Sequence, residues 1–307
     1  MPRVTSPAAD RPSDDAPRRG HRGGLSVRTW GGTGTGTGTV VVALHGLTST
    51  GDVWDGLAAA VVRAAPGTAV VAPDLPGRGR SVAVPAAPGL AGLADRVVAA
   101  VDDLGAPRVV LVGHSMGALL APLVAARLGG RAAGVVLLDG GAAPEPSPLV
   151  HPLVVRALFT VAARRLARTW PDVDAAVRAT DGPAVAVRTD LRPAVRTWTA
   201  QALTGPEGAL RLPLDRRRLV ADAVDTLAGP SRLPLLARPS SPDVPVHLLA
   251  ATRGADDGRG PFLSDAALAT ARGGLPRLTT ERVTANHVTL LLDPAPVAAV
   301  LRLLAGT

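Results

Sequence analysis

The sequence predicts an α/β fold in which a mostly parallel sheet of about seven or eight strands carries helices on both faces. Two observations support it. Short, continuous runs of Val and Leu alternate with segments of helical periodicity, which is typical of strands buried on both sides. A long stretch then breaks this rhythm with helical segments only. The chain has 307 residues, 47% of them hydrophobic and 19% charged, enough for a large core in a globular protein.

The strands are predicted in order along the chain from their apolar runs. Helices are predicted between them near 53–65, 90–104, from Met116, at 264–272 and at 295–304. The predicted strands are 25–30, 40–44, 68–72, 108–113, 134–139, 244–251 and 278–285. The Thr-Gly repeat within 31–39 lacks the Lys-Ser/Thr ending of a phosphate loop and opens into a strand, so it predicts a hairpin loop instead.

The predicted organisation has three parts. Residues 1–24 are polar and charged, and we expect a disordered tail. Residues 25–144 and 243–307 form the α/β core. Residues 145–242 have helical periodicity divided by prolines, which predicts an all-helical lid over the carboxyl ends of the strands.

Composition excludes several classes of function. Cysteine is absent, which excludes disulfides and a cysteine nucleophile. The net charge of +8 comes from scattered arginines, with no lysine and few aromatic residues, so we expect no nucleic-acid partner. No apolar run reaches 18 residues, and the N-terminus lacks the apolar stretch of a secretory signal. We therefore expect a cytoplasmic protein with no membrane partner; the sequence does not indicate its oligomeric state.

The chemistry-bearing motif is Gly113-His114-Ser115-Met116-Gly117, which follows a strand and opens a helix. It matches G-x-S-x-G, where the serine takes a strained backbone that lifts its hydroxyl above the sheet. The glycines two positions to either side leave room for that turn. Ser115 is therefore the candidate nucleophile.

A serine hydroxyl needs a base, and the six histidines can be compared in turn. Four of them have other assignments. His21 lies in the predicted tail and His151 at the start of the lid. His247 lies inside a strand, and His45 lies in the Leu-His-Gly turn. His114 adjoins Ser115, and we expect its ring to point away along the turn. His287 follows the last strand, at the same sheet edge as Ser115, and is the candidate base.

Three aspartates are candidates for the acid that orients the base. Asp257 follows the strand ending near 251 and is preferred. Asp256 beside it and Asp139, at the end of an earlier strand, are the alternatives. The acid would accept the imidazole N–H and fix the tautomer.

Two backbone amides are candidates for an oxyanion site. The N–H of Met116 lies at a helix N-terminus, where the dipole favours negative charge. The N–H of Leu47, after His45-Gly46, is the second donor. Neither metal nor organic cofactor is required by this set of groups.

The sequence resembles the α/β-hydrolase superfamily, in particular its lid-bearing esterase and lipase-like members. The stretches that carry the resemblance are "LHGLTSTGDVW", "APDLPGRGRS", "VGHSMGALLA", "RGADDG" and "ANHVTLL", in the family's order. It implies Ser115 as nucleophile, Asp257 as acid and His287 as base. Asp74 and Gly77–Ser81 match a turn that is mostly structural. Asn286 replaces the family's usual glycine before the histidine, and the stretch before the acid is longer than usual.

The implied function is hydrolysis of a small carboxylic ester through an acyl-enzyme, with a small molecule as the partner and no cofactor. Thioesterase, lactonase, carbon–carbon bond hydrolase and perhydrolase activities use the same triad and stay open, as does a ligand receptor built on a hydrolase body. Serine at position 115 argues against the superfamily members that use a carboxylate nucleophile. The lid is rich in arginine, which indicates either an anion-favouring pocket or a solvated cationic face.

Overall fold

The computed structural model describes residues 16–32, 38–142, 151–181, 183–186, 188–237, 243–255 and 260–306. An eight-stranded sheet forms the centre, with strand order β1-β2-β4-β3-β5-β6-β9-β10. Its strands are β1 Arg18–Arg22, β2 Leu25–Gly31, β3 Thr39–Leu44, β4 Ala69–Pro73, β5 Arg108–His114, β6 Ala132–Leu138, β9 Val246–Ala251 and β10 Leu278–Val283. All neighbouring pairs are parallel except β1 with β2 and β2 with β4. The predicted α/β fold is confirmed.

The helices of the core pack on both faces of the sheet. They are α1 Asp55–Ala64, α2 Leu90–Leu104, α3 Met116–Leu128, α8 Asp265–Gly274 and α9 Pro294–Ala305. Side chains alternate along β3: Val40 and Val42 join the apolar cluster under α2 and α3, while Val41 and Ala43 join the cluster under α1 and α9. This two-sided burial is why the strands consist of continuous apolar runs.

Two predictions about the N-terminal region differ from the structure. Arg18–Arg22 forms β1, which pairs antiparallel with β2, so the predicted tail of residues 1–24 does not hold over these residues. These residues are exposed or half-buried, as is typical of a strand at the edge of a sheet. Such a strand needs no apolar run, so the sequence pattern did not indicate it. The predicted hairpin across 31–39 is also wrong, because β4 lies between β2 and β3 in the sheet.

The segment between β6 and β9 contains four α-helices in its described part: α4 Pro152–Leu166, α5 Val173–Thr180, α6 Arg192–Ala202 and α7 Arg216–Leu227. It also contains a small antiparallel ladder, in which β7 Thr169–Trp170 pairs with β8 Leu210–Arg211. The prediction of an all-helical segment therefore needs this correction. We call residues 151–237 the insert. None of the helices in the described ranges is long and apolar enough to cross a membrane.

Candidate active site

Ser115 lies in a sharp turn between β5 and α3. Its backbone has φ 55° and ψ −115°, a conformation that side-chain-bearing residues rarely adopt. A Cβ on Gly113 would collide with the carbonyl of Gly117, and a Cβ on Gly117 would collide with the carbonyl of Leu44. Both glycines of the motif are therefore required by close backbone approach, as the pattern predicts for an elevated serine hydroxyl.

His287 lies on the loop after β10, which Asn286 organises. The Asn286 side-chain oxygen accepts the backbone N–H groups of Val288 and Thr289, and its Nδ2 donates to the carbonyl of Ala184 in the insert at 2.6 Å. The backbone N–H of His287 donates to the carbonyl of Gly254 at 3.0 Å. Asparagine at this position thus fixes the histidine loop and connects it to the insert.

Asp139, one of the alternatives left open by the sequence, lies beside His287. Its Oδ2 is 2.7 Å from Nδ1 of His287, and its Oδ1 accepts the backbone N–H of Ala251 at 3.1 Å. The carboxyl group is fully buried, and its backbone has φ 45°. Since a carboxylate only accepts, Nδ1 of His287 carries the proton, and Nε2 is left as the basic nitrogen. The preferred Asp257 and its neighbour Asp256 lie outside the described residues.

Sheet order explains why Asp139 lies at the same sheet edge as Ser115 and His287. Ser115 follows β5, Asp139 follows β6 and His287 follows β10, and β6 is the direct neighbour of β5. Ser115 and His287 line one cavity. Among the described contacts no hydrogen bond joins their side chains, and such bonds are often long before substrate binds.

The ring of His114 does not point away from the site, contrary to the prediction. Its centroid is 4.5 Å from that of His287, and its Nε2 donates to the His287 carbonyl at 2.8 Å. Burial, together with the nearby His287, holds the pKa of His114 well below its ordinary value. His114 is therefore neutral, and it packs against the ring of His287. This orientation could not be predicted from the sequence, because neighbouring side chains at a turn can point either way.

His45 holds the loop that carries Leu47. Its Nδ1 donates to the Gly46 carbonyl at 2.7 Å, and its Nε2 accepts the backbone N–H of Leu75 at 2.9 Å. Burial lowers the pKa of His45 to about 3, so the ring is neutral and keeps this donor–acceptor pattern. A Cβ on Gly46 would lie 3.4 Å from Cβ of Ser115, which shows how closely the loop approaches the serine.

Arg78 joins the Leu47 loop to the insert. Its Nε donates to the Leu47 carbonyl at 3.0 Å, and its Nη2 lies 3.9 Å from the sulfur of Met116. The guanidinium also forms an ion pair with Asp222 of α7, and both side chains are almost completely buried. One buried cation therefore contacts the residues of both candidate oxyanion donors and a helix of the insert.

The cavity above Ser115 has a volume of about 350 Å³ and a mainly apolar lining. The insert supplies much of that lining, including Phe159, Leu166, Trp170, Trp198 and Leu203. Asp181 is the one carboxylate on the described lining, and burial raises its pKa. No arginine belongs to that described lining, so the arginines of the insert do not form the pocket wall there.

A family model described as the alpha/beta hydrolase family matches residues 41–300. The chain belongs to the alpha/beta hydrolase family. The chain is 32% identical over 160 residues to the lipase LipV of Mycobacterium tuberculosis. That alignment covers 49% of this chain and 57% of the lipase, so the chain spans little more than half the length of that relative.

Solved structures share the fold over almost the whole chain. One is E-2-(acetamidomethylene)succinate hydrolase, with a TM-score of 0.71, 20% identity, and coverage of 95% of this chain and 99% of that chain. Another is the thioesterase domain from the curacin biosynthetic pathway, with a TM-score of 0.65, 20% identity, and coverage of 94% and 98%. At these identities the likeness shows the fold alone.

Proposed function

We propose that this hydrolase is a serine esterase that cleaves a small carboxylic ester, with Ser115 as nucleophile, His287 as base and Asp139 as the acid. The observation that carries the proposal is the 2.7 Å contact between Asp139 and His287 at a cavity that the strained Ser115 also lines. A nucleophile beside a base that a buried carboxylate orients is the arrangement used for acyl transfer.

The reaction has two halves. Nε2 of His287 takes the proton of the Ser115 hydroxyl as its oxygen attacks the ester carbonyl, and the protonated imidazole then gives that proton to the leaving alcohol. Water repeats the cycle on the acyl-enzyme with His287 again as base. The Asp139 carboxylate stabilises the imidazolium in both halves. The backbone N–H groups of Leu47 and Met116 stabilise the oxyanion, and each is worth about 3–4 kcal/mol in the transition state.

Asp139 replaces Asp257 in this proposal for a physical reason. The single proton on Nδ1 of His287 is already directed at Asp139, whose second oxygen is held by the Ala251 amide. A group that orients a base must itself be fixed, and a buried carboxylate with both oxygens engaged meets that requirement.

The cavity supports a small and mostly apolar substrate. Its volume of about 350 Å³ is at the lower end of the range for small-molecule sites, and its walls are largely aromatic and aliphatic. The single carboxylate of Asp181 on the described lining disfavours an acyl group that carries its own carboxylate. We therefore expect short neutral esters to react faster than anionic ones.

A fluorophosphonate probe tests the nucleophile, since it reacts only with an activated serine. The wild type is expected to be labelled, Ser115→Ala is not, and Ser49→Ala, which removes another serine hydroxyl of the cavity, stays labelled. A panel of nitrophenyl esters of increasing acyl length then measures the activity. A folded wild type that neither reacts with the probe nor turns over any ester would refute the esterase proposal and favour a receptor.

A further inference from the structure

The outward face of α4 is unusual because it exposes large apolar side chains. Leu153, Leu158 and Val161 are 69%, 55% and 48% exposed, the largest exposed fractions of any large apolar side chains on the described chain. At 100° per residue, the three fall within a sector of about 140° on one side of the helix. Apolar side chains that cluster on one face, rather than being scattered singly, mark a binding surface.

Arginines border and overlap this apolar face. Residues 152–168 contain four arginines and no carboxylate. Arg164 and Arg165 point into the same sector as the exposed apolar residues by helical geometry, and both are exposed. The face therefore presents aliphatic side chains and positive charge together over about 18 Å of helix.

A groove of about 520 Å³ runs beside this face, between α4 and α7. Its walls are formed by Arg156, Arg164, Arg216 and Arg217, with Thr160 and Val220. The salt bridges found among the described residues include none of these four arginines. The nearby Asp215 uses its carboxylate to accept the backbone N–H groups of Arg217 and Arg218. Four guanidinium groups around one groove favour the phosphate group of a ligand.

We propose that the α4–α7 face docks on an anionic phospholipid surface. A soluble phosphate ester would account for the groove, but it would leave Leu153, Leu158 and Val161 in water. A bilayer surface accounts for both the charged and the apolar side chains of this face. Lipid phosphates would contact the arginines, and the apolar side chains would enter the region between headgroups and acyl chains. This proposal departs from the expectation of no membrane partner, which rested on the lack of an apolar run long enough to span a bilayer.

Docking there would place the substrate cavity close to the lipid. The opposite side of α4 carries Phe159 and Leu166, which line the cavity above Ser115. Phe262, 46% exposed, also lines that cavity, and its ring lies 4.4 Å from the ring of His287. The helix that would contact the bilayer is thus also a wall of the cavity, although binding itself does not depend on the proposed esterase activity.

Vesicle flotation with the full chain tests the proposal without an activity assay. The probes are vesicles of phosphatidylcholine alone and of phosphatidylcholine with 30% phosphatidylglycerol. We expect binding to the anionic vesicles only. Arg216→Gln with Arg217→Gln should weaken the partition coefficient about 25-fold, at about fivefold per charge. Leu158→Ser with Val161→Ser should weaken it at least tenfold.

A matched control pair keeps the test specific. Arg63→Gln with Arg108→Gln removes two exposed charges elsewhere, Arg108 being at the start of β5 and so at the opposite sheet edge from Ser115. This pair should bind like the wild type, with circular dichroism confirming that every variant is folded. Equal loss in the control pair would show diffuse charge attraction and overturn the proposal, as would no binding by the wild type.

Inorganic phosphate distinguishes a soluble ligand from a bilayer. Titration calorimetry should show only weak phosphate binding, and Leu158→Ser with Val161→Ser should not alter it. Tight phosphate binding, together with vesicle binding that this apolar double variant does not weaken, would mean a site for a soluble anion and would contradict membrane docking.

Discussion

Replacing Arg78 by Met should separate the structural role of this buried cation from its role at the oxyanion site. The side chain is 1% exposed and its partner Asp222 is 0% exposed, so the substitution leaves a buried carboxylate without its cation. The cost for breaking such a pair is about 3–5 kcal/mol of unfolding free energy. The Leu47 carbonyl also loses its donor at 3.0 Å, which frees the peptide next to the proposed oxyanion amide.

Steady-state kinetics on a short nitrophenyl ester, beside urea denaturation, measures both effects. An oxyanion donor acts in the transition state, so we expect kcat to fall about 10- to 100-fold while KM changes less than threefold. Arg28→Met is the control, because Arg28 also forms a buried ion pair, with Asp52, but has no described hydrogen bond to Leu47. The control should keep its kcat and lose less stability, because Arg19 and Arg80 also pair with Asp52. If folded Arg78→Met kept full kcat, or if both variants lost kcat equally, Arg78 would have no positioning role.

Three further predictions concern pH, backbone fit and specificity. The folded-state pKa of His45, about 3, lies below the unfolded value of about 6.5, so the unfolded chain binds the proton first. His45 should therefore contribute about 2 kcal/mol to the fall in unfolding free energy from pH 7 to pH 5. His45→Gln should remove that contribution from the slope in urea titrations. Gly117→Ala should abolish soluble expression or fluorophosphonate labelling, because its Cβ collides with the Leu44 carbonyl; full labelling would contradict the close approach. Asp181→Asn should raise kcat/KM about tenfold for carboxylate-bearing esters relative to neutral ones, and an unchanged ratio would exclude a role for its charge.

The sequence was sufficient for the fold and for the strained turn at Ser115, for physical reasons. Strands buried on both faces need continuous apolar runs, which are visible without a structure. The Ser115 turn needs glycines on both sides, because a Cβ at Gly113 or Gly117 would collide with neighbouring backbone. The edge strand Arg18–Arg22 escaped prediction because solvent covers much of it, so its residues carry no apolar pattern.

The orienting acid could not be decided from the sequence. Asp139 and Asp257 each follow a strand whose carboxyl end meets the same sheet edge, and β6 and β9 are neighbours there. To choose between them, one must know which of the two side chains points towards His287. That direction depends on the positive φ of Asp139 and on the Ala251 amide that anchors it, which are properties of the folded backbone.

The role of Asp139 is the central claim, and comparing kcat/KM of Asp139→Asn with that of Asp257→Asn tests it most directly. An amide at the orienting position favours the wrong tautomer of the base, which lowers kcat by about 10⁴-fold in the well-studied serine protease case. We expect a loss of about 10³- to 10⁴-fold for Asp139→Asn and a change of less than threefold for Asp257→Asn. A large loss in Asp257→Asn, with Asp139→Asn close to wild type, would contradict the proposed triad.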